Sequence, residues 1–172
     1  MIQIPEGFEP HFRKSPLTDP WEPLYSKAME NAVVLGFVAS EQHTNSRGFV
    51  HGGLLSALAD NAMGLSCAVQ HDDVGGLVTV NLNVDFLGTA QRGQWIEINS
   101  PFTKTGRTLD FAQAFVTADG AVCAGECDVS GASPRRRTKT LRCLLAVCLD
   151  GCPGCNLLLH HRFLACGGGR AF

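Results

Sequence analysis

A single carboxylate stands in an apolar, helix-like stretch of this sequence. Asp60 follows the run His51-Gly52-Gly53 closely and lies among Leu, Ala and Met residues. Its neighbours three, four and seven positions away on a helix are mostly small, so a substrate or another backbone could approach closely. Free N–H groups after the Gly-Gly pair can hold an anion or a polarised carbonyl oxygen. A carboxylate nearby could then activate water or attack directly, whereas the alternative is a solvated acid beside an ordinary turn.

The elements that must position these residues follow from hydrophobic periodicity. The patterns predict a strand at Ala32–Ser40, a helix from Gly53 to about Val69, and a strand at Leu77–Gly88. Strands at 94–104 and 107–118, a hairpin turn at 118–120 and a fifth strand over 121–126 complete a four-stranded meander. One helix on one antiparallel sheet is an α+β architecture.

The long strand carries the clearest alternation in the chain. It predicts one apolar face, which comprises Val78, Val80, Leu82, Val84 and Phe86. Residues 5–23 are proline-rich, which predicts an extended, irregular lead-in with a short helix near Pro23–Ala28.

Length and composition limit the classes of protein. The 172 residues, 45% hydrophobic and 17% charged, suit one globular domain. A net charge of -2 gives no reason to expect a nucleic-acid partner. Because neither a signal-peptide pattern nor a membrane-length apolar run is present, we expect no membrane partner and a cytoplasmic location.

Several motifs in order resemble one known family. Asn45, His51-Gly52-Gly53 and Asp60-Asn61 are followed by VTVNLNVDFLGTA and KTGRTLDFAQAFV. Together they resemble the hotdog-fold acyl-CoA thioesterases, in particular the phenylacetate-pathway (PaaI-like) type of the 4-hydroxybenzoyl-CoA thioesterase superfamily. The resemblance covers about residues 8–126 and implies an antiparallel sheet wrapped around one long helix.

The resemblance also implies a catalytic apparatus. The Gly52 N–H and the Asn45 side chain would bind the thioester oxygen, and Asp60 of the other chain would act as general base or nucleophile. Thr79 matches a position where a hydroxyl helps place the acid or the water. No metal and no cofactor are expected, since a thioester is already an activated acyl group.

The resemblance extends to binding and assembly. It implies an acyl-CoA substrate and a homodimer, or a dimer of dimers, with active sites at the dimer interface. His51 and Gly53 would contribute to substrate binding, and Lys104 and Arg107 would lie near the coenzyme A phosphates. The acyl group and the arrangement of a homotetramer stay open.

Three other functions fit parts of the pattern. A hotdog dehydratase or hydratase would use His51 with an acid. A non-catalytic acyl-CoA binding protein would keep the pocket but has no need of Asp60. A damaged gene product would have no activity.

Residues 127–172 differ from the rest of the chain. We expect three segments: a lead-in (1–29), a hotdog domain (30–126) and this atypical tail. The tail is atypical because residues 131–172 hold seven basic side chains but only Asp150 as an acid. A one-base shift of reading frame can restore the ending expected of the family, so one hypothesis is a frameshift. A zinc site around Cys152 and Cys155 and a poorly ordered tail are the alternatives.

Overall fold

The computed structural model describes residues 3–72, 76–119 and 141–149, the last of these as a backbone strand. The described elements are one long helix and seven strands: β1 (Glu9–Pro10), β2 (Tyr25–Ala28), β3 (Val33–Val38), α1 (Gly52–Ala68), β4 (Leu77–Phe86), β5 (Trp95–Lys104), β6 (Leu109–Ala118) and β7 (Leu141–Leu149). Two short 3-10 helices lie at Asp19–Trp21 and Glu41–His43.

All seven strands form one antiparallel sheet in the order β1-β2-β3-β5-β6-β7-β4. The prediction of an α+β architecture is therefore confirmed. The predicted four-stranded meander is wrong, because β4 does not pair with the next strand along the chain. It crosses to the far edge of the sheet and pairs with β7.

Helix α1 packs against one face of this sheet and contacts five of its strands. The helix begins after His51, whose ring caps the first turn, and its C-terminal cap is Val69, whose N–H bonds to the carbonyl of Leu65. Its buried residues recur every three or four positions, as an amphipathic helix requires, and are Leu54, Leu55, Leu58, Ala59, Ala62, Met63, Leu65, Ser66 and Cys67.

The sheet presents small side chains where the helix lies on it. Along β6 the inward positions are Asp110, Ala112, Ala114, Val116 and Ala118, and all are buried. Alanine at three of these positions lets the helix axis approach the strands closely. Larger side chains fill the rest of the core, among them Phe37, Leu58, Met63, Ile96 and Ile98.

A β-bulge changes which side of β4 faces the helix. The register with β7 shifts between Thr79 and Asn81, so Val80 is an extra residue in the strand. Val78 and Val80 are 54% and 44% exposed, whereas Leu82 and Val84 pack against the core. The predicted single apolar face is therefore wrong, because alternation holds on either side of the bulge but not across it.

The lead-in contributes strands and not the predicted helix near Pro23–Ala28. Residues Tyr25–Ala28 form β2, which pairs with β3, because the latter offers it an otherwise unpaired edge. The predicted strand over 121–126 and the last residue of the 118–120 turn lie outside the described residues. The position beside β6 is held instead by β7, so the sheet draws a strand from beyond residue 126. The domain boundaries otherwise stay a prediction.

Candidate active site

The side chain of Asn45 is fixed by the backbone that follows it. Its Oδ1 accepts hydrogen bonds from the N–H groups of Arg47 at 2.9 Å and Phe49 at 3.3 Å. These contacts identify Oδ1 as the oxygen and leave Nδ2 as a donor. Among the described residues no acceptor bonds to Nδ2, so this amide can donate to a bound molecule.

His51 is the N-terminal cap of α1. Its ring Nδ1 accepts the Gly53 N–H at 3.0 Å, and its backbone N–H donates to the carbonyl oxygen of His43 at 2.9 Å. Because Nδ1 is an acceptor, the neutral ring carries its proton on Nε2. The Gly53 N–H is thus occupied, whereas in the described part of the chain the Gly52 N–H meets no acceptor.

Phe86 covers one side of Gly52. A Cβ built on Gly52 would lie 2.9 Å from Cε1 of the Phe86 ring, so glycine at this position permits the close approach. The ring itself is 55% exposed. We call Asn45, His51, Gly52 and Gly53 the amide cluster, and Phe86 forms a wall beside it.

Asp60 lies two turns further along α1 and is half-buried. Thr79 donates its hydroxyl to Asp60 Oδ1 at 2.8 Å. The bulge at Val80 makes this contact compatible with the packing of the rest of β4, because Thr79 and Leu82 both face the helix. We call Asp60 and Thr79 the acid pair.

The helix face beside Asp60 is open. Gly64 lies one turn further along, and a Cβ built there would meet no described atom within 4 Å apart from its chain neighbours and the adjacent helix backbone. A substrate or another chain can therefore approach Asp60 from this side.

The amide cluster and the acid pair do not meet within one chain. Gly52 and Asp60 are eight positions apart on α1, which corresponds to a rise of about 12 Å along the helix. A carbonyl oxygen within hydrogen-bond distance of the Gly52 N–H is therefore too far from Asp60 of the same chain for proton transfer or attack.

Lys104 and Arg107 are exposed in the turn between β5 and β6. In the described part of the chain neither cation forms an ion pair with an acid. Both charges are thus available to an anionic ligand.

His43 was not predicted from the sequence, and its carbonyl oxygen accepts the backbone N–H of His51 in the amide cluster. The ring is buried, its Nδ1 accepts the Ser40 N–H at 2.9 Å, and its Nε2 bonds to the carbonyl oxygen of Trp21 at 2.9 Å. Burial lowers the pKa of His43, which keeps the ring neutral. A histidine within a polar loop carries no pattern that would have identified this role.

No group of three His, Cys, Asp or Glu side chains that could hold a metal ion occurs among the described residues. The side chains of the zinc alternative in the tail lie outside that part of the chain. Among the described helices, none has the length and apolar character needed to cross a membrane.

Comparison with known proteins identifies the family. The family model described as "Thioesterase superfamily" matches residues 47–124, which include all of α1 and the acid pair. PA0474 of Pseudomonas aeruginosa, named as a candidate esterase, is 39% identical over 115 residues, which cover 66% of this chain and 86% of that protein. The chain belongs to the thioesterase superfamily and is a thioester hydrolase.

Two further likenesses are informative. Human acyl-coenzyme A thioesterase 13 is 31% identical over 90 residues, which cover 52% of this chain and 64% of that enzyme. A solved structure of the phenylacetic acid degradation protein PaaI from Thermus thermophilus has a TM-score of 0.58 at 18% identity, covering 78% of this chain and 98% of that one. The predicted hotdog fold and the resemblance to PaaI-like thioesterases are confirmed.

Proposed function

We propose that the chain hydrolyses an acyl-CoA thioester to the free acid and coenzyme A. The observation that carries the proposal is a pair of fixed donors, Asn45 Nδ2 and the Gly52 N–H, which have no acceptor among the described residues. Two such donors match the oxyanion that forms when a thioester carbonyl is attacked. The relationship to a human enzyme named for acyl-coenzyme A supports the substrate class.

Asp60 supplies the base or the nucleophile. As a base, its carboxylate takes a proton from the attacking water, and the tetrahedral oxyanion then collapses to expel the CoA thiolate, which takes up that proton. As a nucleophile, it forms a mixed anhydride with release of the thiolate, and water then cleaves the anhydride. Thr79 orients the carboxylate in either route through its hydroxyl.

We infer that each active site combines two copies of the chain. The separation of about 12 Å along α1 requires Asp60 and Gly52 at one site to come from different copies. Strand β4 pairs on one side only among the described strands, and it exposes Val78 and Val80, so its free edge offers a place for a partner.

The layout of β4 supports this assembly. Thr79, which holds Asp60, is near the start of the strand, and Phe86, which covers Gly52, is at its end. If β4 pairs antiparallel with its own copy, the start of each strand faces the end of the other. The acid pair of one copy then faces the amide cluster of its partner, twice per dimer. The association of two dimers and a cytoplasmic location stay predictions.

The geometry disfavours hydration or dehydration of an acyl chain. That chemistry needs His51 as a base, but its Nδ1 already accepts the Gly53 N–H and its Nε2 carries the proton. A binding protein without catalysis would have no use for a carboxylate held by a hydroxyl beside an open helix face.

The test is thioester cleavage over a panel of acyl-CoAs with aromatic, medium-chain and short-chain acyl groups. We expect turnover that falls by about 10³-fold in Asp60→Ala, because a positioned base or nucleophile is lost. Loss of absorbance at the thioester band is the suitable readout, since accessible thiols among the eight cysteines of the chain would react with a thiol dye. Glu30→Ala, at an exposed acid in the β2–β3 turn, is the control and should keep full activity.

A folded wild type without turnover on any acyl-CoA would contradict the proposal. Full activity in folded Asp60→Ala would contradict the role of Asp60 but not the reaction.

A further inference from the structure

One acid in the core is not used by the proposed reaction. Asp110 is the only charged residue among the inward positions of β6, where its neighbours are alanine and valine. It is completely buried, and a buried carboxylate is costly unless it is paired and hydrogen-bonded. Both of its oxygens have partners in the structure.

The two partners come from different parts of the chain. His71 Nε2 lies 2.7 Å from Asp110 Oδ2, and the Gly106 N–H donates to Asp110 Oδ1 at 2.9 Å. His71 follows the end of α1, where its N–H donates to the carbonyl oxygen of Ala68. The carboxylate therefore links the C-terminal end of the helix to the turn between β5 and β6.

The turn held in this way carries Lys104 and Arg107, which form no ion pair within the described part of the chain. Gly106 lies between Lys104 and Arg107, and a Cβ built on it would be 2.6 Å from the carbonyl oxygen of Leu109. The backbone is thus tightly folded at Gly106, where the carboxylate accepts its N–H. Because Asp110 bonds to both Gly106 and His71, it connects the turn that carries both cations to the segment that follows α1.

Residues paired across three adjacent strands connect Asp110 to the acid pair. Asp110 is opposite Val147, and Val147 is opposite Thr79, on adjacent strands. Asp110 and Thr79 are thus two strand spacings apart, about 10 Å, and both side chains bond to residues on or just beyond α1. The turn and Asp60 are consequently held by neighbouring parts of the same sheet.

We propose that Asp110 and His71 are positioning residues that fix the Lys104–Arg107 turn for binding the phosphate-bearing part of an acyl-CoA. The proposal rests on the proposed function. The pair touches no substrate and acts only through the turn, so it affects binding of the phosphorylated nucleotide and not the chemical step.

The experiment compares two substrates with the same acyl group, one a thioester of CoA and the other of pantetheine, which has no phosphates. His71→Leu removes the donor to Asp110, and His71→Gln restores an N–H at a similar distance. We expect the KM for the acyl-CoA to rise by about tenfold in His71→Leu, since the displaced turn would lose a charge-assisted contact between one of its cations and a phosphate. The kcat and the constants for acyl-pantetheine should change by less than about twofold, and His71→Gln should recover most of the lost affinity.

Equal losses on the two substrates, or no change on either, would overturn the proposal. If His71→Leu does not fold, Asp110→Asn takes its place, and failure of both to fold would assign the pair a purely structural role. Calorimetric binding of free CoA and of pantetheine separates the two proposals. A wild type that hydrolyses nothing but binds CoA, with weaker binding in His71→Leu, would contradict the proposed function and support the positioning role.

Discussion

The amide cluster and the acid pair lie on the same helix but are held by different kinds of contact. In the amide cluster, the side chains of Asn45 and His51 bond to backbone groups two to four residues away. In the acid pair, Asp60 is oriented by Thr79, 19 residues further along the chain and on a different element. Local contacts form with the loop itself, whereas the acid pair exists only when β4 is docked with its bulge in place.

After Asp60→Ala, the largest effect we expect in this comparison is from Gly52→Pro. Proline is well tolerated at the first position of a helix, and His51 has the extended conformation that must precede it, with φ -71° and ψ 129°. The change removes the N–H, so kcat/KM should fall by about 10²- to 10³-fold. The assay is thioester cleavage, with circular dichroism as the check on folding.

Gly52→Ala is the matched control for that variant. It adds the same Cβ against Phe86 but keeps the N–H. Equal activity of the alanine and proline variants would contradict a role for the Gly52 N–H.

Asn45→Asp tests the second donor of the amide cluster. The aspartate keeps an oxygen for the N–H groups of Arg47 and Phe49, so the loop should keep its shape. It replaces the Nδ2 donor with an anionic oxygen, and we expect kcat to fall by about 10²-fold. An unchanged kcat in a variant of wild-type stability would assign Asn45 to the loop alone.

Thr79→Val should have a smaller effect, because it disorients the acid without removing it. The substitution keeps the shape of the side chain and deletes one hydrogen bond to a carboxylate, so kcat should fall by about tenfold. Thr79→Ser keeps the hydroxyl and should retain most of the activity. If valine and serine variants behave alike, the hydrogen bond does not orient Asp60.

The smallest effect we expect is a dependence of stability on pH that arises from two buried histidines. Burial lowers the pKa of both His11 and His43 below the ordinary value of 6.5. Between the lowered pKa and 6.5 the unfolded chain binds more protons than the folded chain. The free energy of unfolding is therefore largest above pH 6.5 and decreases as the pH falls. Urea unfolding at about pH 7.5 and about pH 5.5 measures this decrease.

His11→Leu distinguishes the contribution of His11 to this pH dependence from that of His43. His11 is 3% exposed, and neither ring nitrogen bonds to a described residue. The leucine variant should therefore show a weaker pH dependence than the wild type. An identical pH dependence would exclude His11 as a contributor.

The sequence was sufficient for the parts of the molecule that depend on local contacts. Residues His51-Gly52-Gly53 and the apolar period after them predicted α1 to within one residue at each end. The residue types at Asn45 and Asp60 predicted the chemistry, in combination with the family resemblance.

Non-local contacts account for what the sequence could not predict. Alternation on β4 does not reveal the extra residue at Val80, because a bulge depends on the register with β7. The same register sets β4 at the edge of the sheet. The pairing of His71 with Asp110 joins residues 39 apart, and neither has a sequence neighbour that indicates it.

Mixing two inactive variants tests the central claim that each site combines two copies. Asp60→Asn and Gly52→Pro chains are co-expressed with different tags, and the dimers that carry both tags are isolated. In such a dimer one site has both changes and the other has neither, so a shared site predicts activity in about half of the sites. Unfractionated mixtures should recover about a quarter of wild-type activity. Mixed dimers as inactive as their parents would contradict the account and assign each site to a single chain.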